Sequence, residues 1–289
     1  MTPPGILAAV ITPRRGLAPD VEASAALVDF LAAKGVAGVV LFGSTGEFVH
    51  FDLDARAELT RKVIKRAKVP VLANVSHSTL DGTIELARRA LADGAAAAVA
   101  MPPYFFRYTQ AQLRDFFMRL GDAVEGPLSL YNIPLFTSEL GRDTAHELLS
   151  TGRFCALKDS SGDNTYLEYL QYVRGPKLYV GNDSSYRLMK AQGVYGAVSG
   201  VASVAPEILI AIDQAAATGN TALADTAERL LHDFLRWFVR FPIPAAISLA
   251  LEVRCGFPCP PAVPLGVEAV EFRDWVKDWI HEVETQCKI

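Results

Sequence analysis

Eight short apolar segments recur along the chain, and each is followed by a longer segment with helical punctuation. Most of the eight are continuously apolar, which is typical of parallel strands covered on both faces. The Ala-rich run fits a helix equally well by propensity, and only its place in the alternation favours a strand. The predicted strands are Leu7–Ile11, Val36–Phe42, Val69–Asn74, Ala95–Met101, Leu128–Asn132, Cys155–Lys158, Leu178–Val180 and Gly196–Ser199.

Helix boundary signals lie between these strands. Asp20 is placed to cap a helix that ends near Lys34, and Thr109 with Gln112 has the spacing of a capping box. Gly193 is placed to close a helix that begins after Asp183. Eight strand–helix units predict an α/β protein with a (β/α)8 barrel, the TIM-barrel fold. A doubly wound open sheet is the alternative, but no G-x-G-x-x-G follows the first strand.

After the eighth strand the chain continues with more helical pattern than a closing barrel helix needs. The segment from Phe241 to Pro244 and the proline cluster from Pro258 to Pro264 interrupt this tail. We therefore predict two units. Residues 1–219 form the barrel and catalytic domain, and residues 220–289 form a C-terminal helical subdomain packed on it.

Composition excludes several classes of function. Among 289 residues, 51% are hydrophobic and 21% charged, which argues against intrinsic disorder. The net charge of −4 gives no basic surface for nucleic acid or an anionic membrane. The longest uncharged stretch, Ala191 to Pro206, is 16 residues, shorter than the roughly 20 needed to span a bilayer.

The cysteines and histidines show no metal-ligand or disulfide spacing. Cys255 and Cys259 lie among prolines without a nearby histidine, so a zinc site is the weaker hypothesis, and no H-E-x-x-H pair occurs. The first residues are apolar before they are basic, the reverse of a signal peptide. We therefore expect a reduced, metal-free, cytoplasmic protein.

Polar residues end five of the predicted strands. In a barrel, side chains at the C-terminal strand ends face the active site, so these positions are the candidates for chemistry. They are Gly43-Ser44-Thr45-Gly46-Glu47, Tyr131-Asn132, Lys158-Asp159-Ser160-Ser161, Gly181-Asn182-Asp183 and Ser199-Gly200.

Lys158 is the one lysine of nine that directly follows an apolar strand core. Apolar walls at the barrel mouth destabilise an ammonium ion, which favours the neutral amine that attacks a ketone. The alternative is a structural ion pair with Asp159 or Asp183, and position alone does not separate the two.

Two further strand ends supply complementary groups. The phenol of Tyr131 is suited to relaying protons over the same pocket, although a tyrosine at a strand end often only packs. Ser44 and Thr45 combine hydroxyls with backbone N–H groups in a glycine-flanked turn. Such a turn is suited to binding a carboxylate as a nest of N–H groups, but the same sequence also fits an ordinary turn without a ligand. Together the three strand ends fit a 2-oxo acid.

The motifs Gly43-Ser44-Thr45-Gly46-Glu47, Pro103-Tyr104, Tyr131-Asn132-Ile133-Pro134, Lys158-Asp159-Ser160-Ser161-Gly162 and Gly181-Asn182-Asp183 occur in this order. With them the whole chain closely resembles the dihydrodipicolinate synthase / N-acetylneuraminate lyase family. The resemblance implies a barrel with a C-terminal helical subdomain and a homotetramer built as a dimer of dimers. It also implies catalysis without a cofactor, through a covalent Schiff base.

The resemblance also implies roles for individual residues. Lys158 would form the Schiff base and Tyr131 would be the general acid/base. Ser44, counted with them as catalytic, would bind the substrate carboxylate together with Thr45. The distal part of the substrate and the pocket floor would be met by Asn182, Asp183, Val198 and Ser199.

Two positions depart from dihydrodipicolinate synthases. Phe136 stands where those enzymes carry an arginine that holds the carboxylate of aspartate semialdehyde, and Phe105 replaces a second tyrosine that reaches into the neighbouring subunit. A charge-assisted clamp and a phenol are thereby lost. Arg107 is the only obvious replacement for the clamp.

The sequence therefore predicts a Schiff-base lyase, an aldolase or a dehydratase, acting on a 2-keto-3-deoxy sugar acid or a related 2-oxo acid. The hydroxyl groups of this substrate would contact Ser161, Asn182 or Asp183. Dihydrodipicolinate synthase is the first alternative, and a barrel that binds a 2-oxo acid without turnover is the second. The expected partner is a small molecule.

Overall fold

The computed structural model describes residues 2–257 and 259–288 and contains a closed barrel of eight parallel strands. Each strand pairs with the next along the chain, and the eighth pairs with the first. The TIM-barrel prediction is confirmed, and the open-sheet alternative is wrong because the first strand has a neighbour on both sides. The strands are β1 (Gly5–Ala9), β2 (Gly38–Leu41), β3 (Val71–Asn74), β4 (Ala97–Ala100), β5 (Leu128–Asn132), β6 (Phe154–Asp159), β7 (Lys177–Val180) and β8 (Gly196–Ser199).

Helices cover the outside of the barrel and continue after it. The helices are α1 (Val21–Ala33), α2 (Leu53–Arg66), α3 (Leu80–Ala92), α4 (Gln110–Ala123), α5 (Arg142–Ser150), α6 (Asn164–Leu170), α7 (Tyr186–Ala191), α8 (Pro206–Thr218), α9 (Thr221–Leu235), α10 (Ile243–Cys255) and α11 (Glu268–Gln286). Short 3-10 turns lie at Phe48–His50, Asp183–Ser185, Val201–Ser203 and Arg236–Val239.

The predicted strands are found in place, with ends displaced by one or two residues in six of the eight. The Ala-rich segment is a strand, because its four residues are fully buried between neighbours on both sides. Lys177 opens β7 rather than preceding it, and so lies at the end of the barrel opposite Lys158. A short ribbon pairing Arg14–Arg15 with Ala18–Pro19, which the sequence analysis did not predict, leads into α1.

The predicted helix boundaries have the expected chemistry. The Asp20 carboxylate accepts from the backbone N–H of Ala23, and Thr109 with Gln112 forms a complete capping box. Gly193 has a φ of +92°, a conformation that a glycine adopts without strain, just after α7 ends.

Three long helices, α9 to α11, follow the barrel helix α8. They pack through an aromatic cluster in which the rings of Phe234 and Trp279 stack at 4.7 Å. The indole N–H of Trp279 donates to the carbonyl of Leu230. The predicted boundary at residues 219/220 falls in the turn between α8 and α9. The division into two domains stays a prediction, and its ends Met1 and Ile289, like Pro258, lie outside the described residues.

The membrane, cysteine and metal-ligand predictions concern features of the described ranges, 2–257 and 259–288. None of the helices there is long and apolar enough to cross a membrane. All four cysteines are free thiols. Residues 2–257 and 259–288 contain no group of three or more Cys, His, Asp and Glu side chains placed to hold a metal ion.

Candidate active site

Lys158 lies on β6 and is only 9% exposed. Strand pairing sets it beside Tyr131 of β5, and its Nζ lies 4.2 Å from the centre of the Tyr131 ring. Within the part of the chain that the structure describes, the amine has no hydrogen bond and no carboxylate within 4.0 Å. The alternative of a contact ion pair with Asp159 or Asp183 is therefore wrong.

Asp159 points away from this amine because other groups hold its carboxylate. The Asn132 side chain donates to it at 2.7 Å, and the Ser161 hydroxyl donates to it at 2.7 Å. Burial raises the pKa of Asp159 above its ordinary value, although both donors oppose that shift. Ser161, predicted to meet substrate hydroxyls, is thus occupied with Asp159 and is not among the residues that line the cavity described below.

Gly181, which follows β7, makes room for the lysine. A Cβ at this position would lie 2.6 Å from Lys158 Cε and 2.0 Å from Ser160 Oγ, closer than real Cβ contacts. Any side chain at position 181 would displace the lysine stem, so the glycine is required by close approach.

Tyr131 and Ser44 form a hydroxyl pair above the lysine. The two oxygens are 3.2 Å apart, and either one is able to donate. Thr45, next along the β2–α2 loop, is 8% exposed and lines the same cavity. The loop thus places two hydroxyls on the side of the cavity that holds Tyr131.

The backbone of the β2–α2 loop differs from the predicted nest. Positive φ angles occur at Phe42 (+56°) and Glu47 (+50°), and not at Gly43 or Gly46. Gly46 is needed for another reason, because a Cβ there would lie 2.8 Å from the carbonyl oxygen of Val10. The left-handed residues of this loop are therefore not its glycines, and its use as a carboxylate nest stays a prediction.

Asp183 is the buried carboxyl of the cavity. One of its oxygens accepts from the backbone N–H of Val201 at 3.3 Å, and the Ser199 hydroxyl lies near the carboxylate and favours its charged form. Burial raises the pKa of Asp183 to about 6, against the opposing effects of these groups and of the Lys158 charge. Its other oxygen, Oδ1, has no partner among the described residues.

A cavity of about 530 Å³ opens above Lys158. Eight of the predicted site residues line it, and they are Ser44, Thr45, Tyr131, Phe136, Lys158, Asn182, Asp183 and Val198. Ser199 is fully buried behind Asp183 and does not line it. Three further residues of the predicted strand ends, Ser160, Gly181 and Gly200, also line it. The lining residues that were not predicted as part of the site are Ile133, Leu135, Leu235, Phe238, Phe241, Pro242, Ile243 and Pro244.

Two other predicted residues lie away from the cavity. Phe105 is 86% exposed, has a φ of +82° and packs edge-on against Phe106. The Arg107 guanidinium donates to the carbonyl of Thr137 at 2.6 Å and does not line the cavity, so it makes no clamp there.

Two of the five family motifs supply the lysine and the phenol that line this cavity, Lys158 and Tyr131. Comparison of the sequence with a model of the family supports the same resemblance. The model of the dihydrodipicolinate synthetase family matches residues 2–281. This chain belongs to that family. The family resemblance inferred from the motifs is thereby confirmed.

Individual members of the family extend this result. A 4-hydroxy-tetrahydrodipicolinate synthase from Thiobacillus denitrificans is 33% identical over 254 residues, covering 85% of this chain and 86% of that protein. The crystal structure of KD(P)GA from T. tenax superimposes with a TM-score of 0.86 at 30% identity, covering 98% of this chain and 99% of that one. The crystal structure of a prophage protein of the family from E. coli K12, in complex with pyruvate, superimposes with a TM-score of 0.88 at 26% identity. The match covers 96% of this chain and 98% of that one.

The chain is therefore an enzyme of a lyase and aldolase family. Members of this family act on small pyruvate-type molecules and use a catalytic lysine without a cofactor.

Proposed function

We propose that this protein is a Schiff-base lyase, an aldolase or dehydratase, acting on pyruvate-type 2-oxo acids. The substrate is a 2-keto-3-deoxy sugar acid or a related compound. One observation carries the proposal: the buried Lys158 amine has no ion-pair partner among the described residues and lies 4.2 Å from the Tyr131 ring at the foot of an open cavity.

In the proposed binding step, the substrate carboxylate is held by the hydroxyls and backbone N–H groups at Ser44 and Thr45. The ketone carbon then faces the Lys158 amine, which attacks it and forms a carbinolamine. Tyr131 gives a proton to the departing hydroxyl, which leaves as water and generates the iminium.

The iminium is the electron sink for either outcome. In cleavage, Tyr131 takes the proton of the C4 hydroxyl, the C3–C4 bond breaks, and its electrons pass into the iminium as an enamine. The enamine is protonated at C3, and water releases pyruvate and the free lysine. In dehydration, C3 loses a proton to the same acid/base and the C4 hydroxyl leaves as water. The protein itself supplies every group used, so the proposed reaction needs no cofactor.

Reductive trapping tests the nucleophile. Pyruvate and borohydride together are expected to add one adduct, and peptide mapping is expected to place it on Lys158. Lys158→Ala should abolish the adduct, whereas Lys177→Ala, at the opposite end of the barrel, should keep it. An adduct on Lys177 or Lys190, or none with any 2-oxo acid, would contradict the mechanism.

Dihydrodipicolinate synthase is the second candidate, and the names of the similar curated proteins favour it. Phe136 and the position of Arg107 weigh against it, because a second carboxylate would enter the cavity without a cation to compensate its desolvation. We expect kcat/KM for aspartate semialdehyde to be at least about 10²-fold below that for the best substrate, the effect of losing about 2.7 kcal/mol.

A coupled assay with pyruvate and aspartate semialdehyde, run on the wild type and on Phe136→Arg, decides between these candidates. Phe136→Arg is expected to improve the condensation. Efficient condensation by the wild type that is lost on Arg107→Ala would establish the synthase instead. Trapping of 2-oxo acids with no turnover of any would favour the binding barrel.

We also propose a homotetramer. The support within the chain is a pair of exposed phenyl rings, Phe105 and Phe106, which are 86% and 64% exposed on one loop. Exposed apolar groups of this size are often covered by association. Light scattering after size-exclusion chromatography checks the expected mass.

A further inference from the structure

The outer half of the cavity is apolar on two sides. The segment after β5 contributes Ile133, Leu135 and Phe136. The end of α9, the turn after it and the start of α10 contribute Leu235, Phe238, Phe241, Pro242, Ile243 and Pro244. These residues form what we call the apolar rim. None of them carries a polar side-chain atom.

Aromatic packing holds the rim in place. The Phe241 ring is 5% exposed and packs edge-on against Phe272 of α11 at 5.6 Å. The Phe238 ring packs edge-on against Phe234 of α9 at 5.5 Å. The part of the rim that contains Phe238 and Phe241 is therefore packed against the C-terminal helices.

Polar groups free to bind a substrate are few, and they lie beside Lys158. Asn182 has its carbonyl oxygen committed to Ser184, which leaves its NH2 group. Asp183 Oδ1 has no partner among the described residues, but it is buried. Ser160 adds a hydroxyl. The Asn182 NH2 and the Ser160 hydroxyl suffice for one or two hydroxyls close to the reacting carbon.

Charge gives a second limit. Among the lining residues that the structure describes, Lys158 is the one cation, and it is the proposed nucleophile. A phosphate or a second carboxylate on the part of the substrate farthest from Lys158 would lose its hydration without a compensating charge from the protein. A long polyhydroxylated chain would lose hydrogen bonds to water against the apolar rim.

We propose that the preferred substrate is a 4-hydroxy-2-oxo acid whose C4 carries an apolar group of aromatic size. This inference rests on the proposed function and narrows its substrate class. The hydroxyl at C4 lies near Tyr131 and the polar groups beside Lys158, and the apolar group packs on the rim. Cleavage breaks C3–C4 and passes its electrons to the iminium. The C4 hydroxyl proton goes to Tyr131 and the aldehyde leaves, and then C3 is protonated and water releases pyruvate.

The test compares two probes on the wild-type enzyme, with pyruvate release as the signal. 4-Hydroxy-2-oxo-4-phenylbutanoate is expected to be cleaved with kcat/KM at least about tenfold above that of 2-keto-3-deoxygluconate. Borohydride trapping with pyruvate alone is measured in parallel. Absence of trapping overturns the proposed function and this inference with it. Trapping accompanied by equal or better cleavage of the sugar acid, or by no cleavage of the phenyl compound, overturns this inference alone.

Neighbouring residues on one turn provide a matched pair of variants. Phe238 lines the cavity, whereas Val239 is 88% exposed and does not. Phe238→Ala is expected to lower kcat/KM for the phenyl compound roughly tenfold more than it lowers kcat/KM for 4-hydroxy-2-oxopentanoate, which carries a small methyl group. Val239→Ala should change neither. Equal losses on both compounds in Phe238→Ala would overturn a role for the rim in specificity.

Discussion

Tyr131 is positioned by the backbone, because parallel pairing of β5 with β6 sets it level with Lys158. Its hydroxyl contacts Ser44, which belongs to a different strand-end loop. The phenol therefore links the proposed nucleophile to the proposed carboxylate site. Because the Tyr131 phenol lies next to Lys158 and contacts the Ser44 hydroxyl, it is placed to take part in several proton transfers.

Tyr131→Phe tests this role because it removes one oxygen and keeps the ring against the lysine. We expect kcat to fall by about 10²–10⁴, the usual contribution of a general acid/base. Trapping of pyruvate on Lys158 should persist at a lower rate. Tyr179→Phe is the control, since the hydroxyl of Tyr179 donates to the carbonyl of Pro3 instead. Wild-type turnover by Tyr131→Phe would exclude the phenol from the chemistry.

The place of Lys158 and Tyr131 in the cavity was predictable, since side chains near the C-terminal ends of barrel strands face the mouth. The same reasoning placed Ser161 and Ser199 in the cavity as well, which they do not line. The Ser161 hydroxyl instead donates to Asp159, and the Ser199 hydroxyl accepts from the backbone N–H of Ala202. Spacing along a sequence does not reveal which way such a side chain turns.

At the scale of elements, the β2–α2 loop is held in a strained form by a buried cation. Phe42 and Glu47, which flank it, both have positive φ, a costly conformation for residues with a side chain. The Arg56 guanidinium lies over the Phe48 ring at 4.9 Å and near the Phe42 ring at 5.7 Å. It also donates to the carbonyl of Asn74, whose side-chain NH2 donates to the carbonyl of Phe42.

Arg56→Met is expected to loosen this loop, because it leaves two buried carbonyls without their donor. Burial lowers the pKa of Arg56 to about 10, so the cation is intact at neutral pH. We expect the free energy of unfolding to fall by about 2–3 kcal/mol and KM for the 2-oxo acid to rise more than kcat falls. The control is Arg61→Met on the same helix, since Arg61 pairs with Glu58 at the surface. An unchanged KM in a folded Arg56→Met protein would remove Arg56 from positioning the loop.

Glycines in this loop suggested a carboxylate nest from sequence, but tertiary contacts decide their use. The carbonyl oxygen of Val10 lies so close to Gly46 that a side chain has no room there. The residue with positive φ is the next one, Glu47. Local composition indicates that a turn exists. It does not indicate which residue of the turn bears the strain.

At the scale of the molecule, the C-terminal helices both close the fold and complete the cavity. The sequence predicted their packing from the helical pattern but gave no sign that the turn after α9 would reach the barrel mouth. A proline-broken turn has no periodicity, and nothing in it predicts which part of the fold it meets. The apolar rim therefore emerged only from the structure.

A buried ion-pair network joins these helices to the barrel. Arg254 of α10, with a side chain 3% exposed, pairs with Glu207 of α8 at 2.6 Å and with Glu284 of α11 at 3.0 Å. Lys34, just after α1, contacts Glu207 at 2.8 Å. Burial alone would raise the pKa of Glu207, but Arg254 and Lys34 overcome this and hold it below its ordinary value.

Arg254→Met should lower the free energy of unfolding by about 3 kcal/mol at pH 7, because a buried carboxylate loses its main partner while Lys34 remains. Restoring an apolar contact with Glu207→Leu in the same chain should recover much of the loss. Arg273→Met, which breaks the exposed pair with Glu252, should cost under about 1 kcal/mol. Denaturant unfolding of the four proteins measures these differences.

The direction in which the stabilisation by Arg254 changes with pH follows from the pKa of Glu207. Its pKa is lower in the folded chain than in the unfolded chain, so its contribution to stability is complete above about pH 4.5. The contribution is lost as the pH falls through the lower folded value, since protonation removes the charge that Arg254 stabilises. The difference between wild type and Arg254→Met is therefore expected to be constant near neutrality and to narrow below about pH 4.5. A difference that stays the same down to acid unfolding would mean that Arg254 acts through packing of its aliphatic stem rather than through its charge.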